Sequence, residues 1–96
     1  MELAIVTGTV VATRKDAKLS GGKFLLVRKC DQSGNMTGRE YVALDSVDAG
    51  KDELVLIVSG SSARVASGFD GAPVDAVIIG VVDTVESEGR VTYKKG

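Results

Sequence analysis

The chain has 96 residues, 44% of them apolar, with 12 Lys and Arg set against 13 Asp and Glu. That length allows one domain, residues 1–96, around one modest core, and the apolar content excludes a disordered chain. The balanced charge leaves no electrostatic footprint for nucleic acid or for an anionic membrane surface, and no apolar run approaches the roughly 18 residues that span a bilayer.

The amino-terminal "MELAIVTGTVVAT" carries Glu2 and lacks a basic leader, so no signal peptide is expected. Cys30 is the single cysteine and has no internal disulfide partner, which fits a reducing cytosol. The expected setting is therefore soluble and cytoplasmic. Val, Ile, Leu and Ala dominate the apolar residues, with two Phe, two Tyr and no Trp. β-Branched residues favour strands, and twelve glycines against one proline favour tight turns.

In chain order, Ala4–Thr13 reads as a first strand, followed by the polar stretch "RKDAKLSGGK" with a turn at Gly21-Gly22. Lys23–Asp31 is the second strand, and "QSGNMTG" loops to the third, Arg39–Val47. "DAGKDE" turns into the fourth, Leu54–Val58. After a serine-rich stretch and "FDGAP" comes the fifth, Ala76–Val85, and a short strand Arg90–Tyr93 follows the "SEG" turn. Five short strands with one brief helix after the fourth predict an all-β fold, a small closed or nearly closed barrel.

The face pattern adds a second expectation. A strand with one wet face alternates apolar and polar residues, yet "LVLIV", "VIIGVV" and "FLLV" are apolar at consecutive positions. One barrel has one interior, so the outer faces of these strands need another cover. A second copy of the chain would supply it, which predicts an obligate oligomer. The alternative cover is the short helix together with the C-terminal tail.

Catalytic chemistry finds little footing. The absence of histidine removes the commonest general base, the commonest metal ligand and the usual serine and cysteine triads. Cys30 reads as a structural thiol. "DSVDAGKDE" lacks the alternating ligands and the twelfth-position glutamate of a calcium loop, so it reads as an acidic turn.

"VSGSSARVASG", Val58–Gly68, invites two chemical readings and fails both. A phosphate loop needs a second glycine followed by Lys-Ser or Lys-Thr, but Val65 stands five positions after Gly60. A nucleophile elbow needs G-x-S-x-G, and Arg64 occupies the last glycine position. A glycine turn at Gly60 remains, with Ser61 or Ser62 capping one helical turn over Ala63–Ala66. An oligonucleotide-binding barrel would need aromatics in a basic groove. Phe24, Tyr41, Phe69 and Tyr93 are dispersed and no positive excess accompanies them, so nucleic acid is not an expected partner.

Three segments together carry a resemblance: "GTVVATRKDAKLSGGKFLLVRKCD" (Gly8–Asp31), "ALDSVDAGKDELVLIVSGSSAR" (Ala43–Arg64) and "PVDAVIIGVVD" (Pro73–Asp83). They resemble the EutN/CcmL family of bacterial microcompartment vertex proteins, in the correct order and over nearly the whole chain. Two departures are small: "AGKDE" lacks a glycine often found after the lysine, and Ala4 stands where glycine is common.

The resemblance implies a five-stranded, OB-like barrel assembled as a cyclic homopentamer. It implies a structural shell protein, not an enzyme, with no cofactor and no metal. Such pentamers cap the vertices of carboxysome or metabolosome shells in the bacterial cytoplasm and partner hexameric facet proteins. Carried over, Gly60, Ser61, Ser62, Ala63 and Arg64 approach the fivefold axis and border a central opening. Pro73, Val74, Asp75, Ile78, Ile79 and Asp83 contribute to the subunit interface, Asp75 and Asp83 satisfying polar groups at the strand ends. Alternation makes roughly half of Ile78, Ile79 and Val81 ordinary barrel core. Lys15 and Lys18 are candidate rim contacts to hexamers. The competing function is a small oligomeric ligand-binding or sensing module that uses the Gly60–Arg64 loop.

Overall fold

β-Branched and aliphatic runs separated by Gly and Asp turns give β1 (Glu2–Val10), β2 (Lys23–Cys30), β3 (Met36–Asp45), β4 (Leu54–Ser59), β5 (Ala76–Val81), β6 (Thr84–Ser87) and β7 (Arg90–Lys94). The structure is a computed structural model that describes residues 1–13, 17–19, 21–60 and 74–96. The first five strands close a barrel in the order β1-β2-β3-β5-β4, and β6 and β7 form a separate two-stranded sheet. Neighbours are antiparallel except β3 and β5, which pair in parallel over Leu44–Asp45 and Val77–Ile78.

Closure depends on β1 serving two neighbours. Its first half pairs with β4, Leu3 opposite Leu56 and Ile5 opposite Leu54. From Ala4 to Val10 it pairs with β2 as well, across a register shift between Val6 and Gly8. At that irregularity Val6 N–H donates to Glu53 O at 3.0 Å and Asp52 N–H donates to Val6 O at 2.8 Å. The β1–β4 seam therefore continues past the start of β4. A closed sheet leaves no long edge to recruit stray strands.

Local side chains set the turns. The Asp31 carboxylate accepts Ser33 N–H at 2.9 Å and Asn35 N–H at 3.0 Å, while Gly34 takes the left-handed φ of 85°. Asp45 does the same after β3, accepting Val47 N–H at 3.1 Å and Ala49 N–H at 2.9 Å. Asx side chains hold turns by this kind of bond to the backbone ahead of them.

Two apolar clusters follow from the period-2 alternation. The barrel interior holds Ala4, Val6, Leu25, Val27, Ala43, Val55, Ile57 and Ile78, with Ala49 and Ala76. Small residues among them suit the narrow lumen of a five-stranded barrel. The second cluster lies on the outside of the wall, where Leu44, Val58 and Val77 are covered by Leu19, from the 3-10 turn Ala17–Leu19, and by Val74.

The expected fifth strand, Ala76–Val85, is divided. Val82 N–H donates to Leu54 O at 2.8 Å, Asp83 bends, and the chain leaves the barrel so that β6 pairs with β7. β1 ends at Val10 rather than Thr13, and β3 starts at Met36, because Cys30 pairs with Met36 beyond a register shift. The helical turn expected at Ala63–Ala66 lies outside the described residues. Among the described residues, part of the outer wall is covered by the 3-10 turn and Val74, while Leu3, Ile5, Leu26, Leu56 and Ile79 stay half-buried and Val42 exposed.

Candidate functional site

No His occurs in the sequence, and no group of three or more Cys, Asp or Glu among the described residues could hold a metal ion. The features that bear on function are surfaces: the base of the loop after β4, and the outer wall of the barrel.

The loop base is closed by backbone. Gly60 is exposed with φ 66°, and its N–H donates to Asp75 O at 3.0 Å, one step beyond the Ser59–Ala76 pair of β4 and β5. A left-handed φ favours glycine because a Cβ strains it. Both ends of the segment 61–73 are thus held together at the end of the barrel. Ser61, Ser62, Ala63, Arg64 and Pro73 lie outside the described residues, as does Lys15; Lys18 belongs to the 3-10 turn.

The remaining predicted residues separate by direction. Val74 is buried in the outer cluster and Asp75 is exposed. Ile78 is sealed inside the barrel, while Ile79 faces outward and packs, half-buried, against Val77 and its neighbours. Asp75 and Asp83 satisfy strand ends through their backbone carbonyls: Asp75 O accepts Gly60 N–H at 3.0 Å, and Asp83 O accepts Lys95 N–H at 2.8 Å.

Sequence reasoning missed the residues that make the outer wall uneven. Leu3, Ile5, Leu26, Leu56 and Ile79 are half-buried, and Val42 is 46% exposed. Their neighbours along each strand face inward. Between β2, β3 and the start of β5, Phe24, Val42, Leu44, Val74, Asp75 and Ala76 line a groove of about 150 Å³. The runs "FLLV" and "LVLIV" signalled two-sided apolarity, but register decides which residues assemble into a patch.

Polar contacts border this wall. Tyr41 Oη donates to the Glu2 carboxylate, and Lys29 Nζ lies 3.9 Å from the other Glu2 oxygen. Burial first, and then the Glu2 carboxylate, hold the Tyr41 phenol well above its ordinary range. Burial, aided by Asp31 and Glu2, also pushes the Cys30 thiol up. A thiol held protonated is a weak nucleophile, which suits a packed side chain. Lys23 Nζ sits 3.0 Å from Asp48 and 3.5 Å from Asp45. These contacts hold turns and strands in register.

Among the described residues the functional features are thus a closed five-stranded barrel with partly exposed apolar side chains on its outer wall. The family model described as "Ethanolamine utilisation protein EutN/carboxysome" matches residues 1–83, and the chain belongs to that family. It is 47% identical to the carboxysome shell vertex protein CcmL of Nostoc sp. (strain PCC 7120), over 99% of this chain and 95% of the relative. The solved structure of that Nostoc protein superposes with a TM-score of 0.92, covering 99% of this chain and 100% of the other. The bacterial microcompartment shell vertex protein EutN of Salmonella typhimurium is 46% identical over 99% of this chain and 96% of the relative. The GrpN pentameric microcompartment shell protein of Rhodospirillum rubrum is 41% identical with a TM-score of 0.82, covering 91% of this chain and 99% of the other.

Proposed function

We propose that this chain is a structural shell protein of a bacterial microcompartment, in which five copies close a ring that occupies a vertex of the polyhedral shell. The carrying observation is its 46–47% identity, over 99% of its length, to proteins described as shell vertex proteins. The solved pentameric relative and the open apolar wall of the barrel support the ring.

The mechanism is geometrical. Hexagonal units tile a flat sheet, and a fivefold unit removes one sector, which forces curvature and closes the shell. No reaction is involved. Each protomer meets the next through unlike surfaces, as cyclic symmetry requires. In this reading the ring sits in a shell within the bacterial cytoplasm and meets hexameric facet proteins at its rim. The loop that begins at Gly60, with Ser61, Ser62, Ala63 and Arg64, approaches the fivefold axis. Val74, Asp75, Ile79 and Asp83 belong to the subunit contact region, and Ile78 supports the strand from inside the barrel.

The direct test has two parts. Solution mass at micromolar concentration is expected to equal five chains; a stable single chain would sink the reading. Shells assembled with and without this chain are then compared by electron microscopy. Vertices are expected to be missing when it is absent, and complete vertices without it would remove the capping role.

A further inference from the structure

Two bodies of unlike character share this chain. β1 to β5 close on themselves around a buried core, whereas β6 and β7 pair with each other in a separate sheet. No residue from Val82 to Gly96 is buried, so the hairpin has no core of its own. A two-stranded sheet is marginal in water. This one therefore owes its order to the barrel surface on which it lies.

Among the described residues, three contacts hold it there. Thr92 Oγ1 donates to Gln32 O at 2.8 Å, and Lys95 Nζ donates to Glu53 Oε2 at 2.6 Å. Tyr93 lies against the β2–β3 turn, its Cδ2 3.2 Å from the point that a Cβ would occupy on Gly34; the same point is 3.8 Å from Leu54 Cδ1. Val55 and Ile57 face the barrel interior, so Leu54 and Leu56 face outward. Leu56 is half-buried, yet Leu54 is 0% exposed. The difference lies in the cover: the turn at Gly34 and the Tyr93 ring meet over Leu54. At the base of the hairpin Lys95 N–H donates to Asp83 O at 2.8 Å, beside the bend at Asp83. Both strands of the hairpin thus leave the barrel at one point.

We propose that β6 and β7 form a strap that lifts from the barrel as one unit, turning at Asp83, while the barrel stays closed, and that lifting it uncovers Leu54. Segments that open below the global unfolding free energy are those with few buried apolar side chains and many exposed backbone hydrogen bonds, and the hairpin has both properties. The barrel has neither, since each of its strands is bonded on both sides and the buried side chains lie within it and its wall.

Hydrogen exchange of the assembled full chain, read by mass spectrometry and referred to intrinsic rates, tests the strap. The amides of Thr84–Ser87 and Arg90–Lys94 are expected to exchange together, at least about tenfold faster than those of β2 and β3. Glu53→Gln keeps an acceptor for Gly50 N–H and weakens the bond to Lys95, while Tyr93→Leu removes the ring. Each is expected to quicken the hairpin amides by at least about threefold and to leave β2 and β3 unchanged. Leu54→Cys in a Cys30→Ala background supplies a second readout. Its reaction with a small maleimide is expected to quicken on adding Glu53→Gln by the same factor as the hairpin amides. Equal protection in hairpin and barrel, or anchor substitutions that quicken both alike, would mean that the two open only together and would overturn the strap. Hairpin exchange that responds while thiol labelling does not would put Leu54 outside its cover and overturn that part of the proposal.

Discussion

Asp45 shows how much one side chain can hold. Its carboxylate is almost wholly covered, accepts the Val47 and Ala49 N–H groups, and has Lys23 Nζ at 3.5 Å. That arrangement shapes the turn between β3 and β4 and presses Ala49 into the barrel interior. The acidic stretch "DSVDAGKDE" was legible as a turn and not as a calcium loop. Which of its carboxylates caps the backbone was not, because several offer the same chemistry. Asp45→Ala leaves two N–H groups without their acceptor and is expected to lower unfolding free energy by about 1–3 kcal/mol. Denaturant titration measures it, and an unchanged midpoint would contradict the capping role. Gly34 is a second such position: at φ 85°, a Cβ there would also lie 3.2 Å from Tyr93 Cδ2. Gly34→Ala therefore combines backbone strain with a tight contact and is expected to displace the Tyr93 ring slightly, which ring chemical shifts would report.

The clearest element-scale feature is the β6–β7 hairpin, beyond the residues that the family model matches. An isolated two-stranded sheet is marginal in water, so its attachment to the barrel matters. Thr92 Oγ1 donates to Gln32 O at 2.8 Å, Tyr93 packs by Gly34, and Lys95 Nζ bonds Glu53 Oε2 at 2.6 Å. Glu53 Oε1 also accepts Gly50 N–H at 2.5 Å. The Lys95 hydrogen bond, followed by that from Gly50, lowers the Glu53 pKa, and the bond to Glu53 raises that of Lys95. For Glu53 the folded value lies below the unfolded one. Its contribution is full above the ordinary glutamate value, about 4.3, and is lost as pH falls through the folded value. For Lys95 the contribution is full below about 10.4 and is lost as pH rises through the raised value. Protection of the β7 amides, meaning exchange relative to the intrinsic rate at each pH, is expected to fall at both ends of this window, and Lys95→Met is expected to flatten the acid limb. An unaltered acid limb in that variant would remove Glu53–Lys95 as the latch.

The end of β5 belongs to the same scale. "AVIIGVVDTV" carries uninterrupted strand propensity, so nothing local marks a break after Val81. Val82 N–H to Leu54 O still continues the β4–β5 ladder by one rung; the break follows at Asp83, which bends and whose carbonyl accepts Lys95 N–H at the far end of the β6–β7 hairpin. Single-sequence periodicity has no access to either partner.

At the scale of the whole molecule, the barrel leaves its wall half finished. Leu19 and Val74 cover Val58 and Val77, but Leu3, Ile5, Leu56 and Val42 stay partly open. Taking such a side chain from full exposure to full burial gains about 1.5–3 kcal/mol, and these half-buried ones have only part of that still to gain, so folding and assembly are linked. Whatever binds only the folded state stabilises it by mass action. The thermal midpoint is therefore expected to rise with protein concentration, and to do so less for a Val42→Asp variant. A midpoint constant over a hundredfold dilution would break the link between the open wall and assembly.

The sequence alone determined the class: strands from β-branched runs, turns from Gly and Asp, and a want of catalytic groups from the absent histidine. It also showed that the strands are apolar on both faces, because composition at consecutive positions does not depend on partners. Only the tertiary structure decided where β1 shifts register against β2, where β5 ends, and that Ile78 faces inward while Ile79 faces outward. It alone drew Leu3 beside Leu56, and Phe24 beside Leu44 and Val42, into separate patches. The physical reason is register: a one-residue shift turns every side chain to the opposite face, and register is set by contacts between strands far apart in the chain.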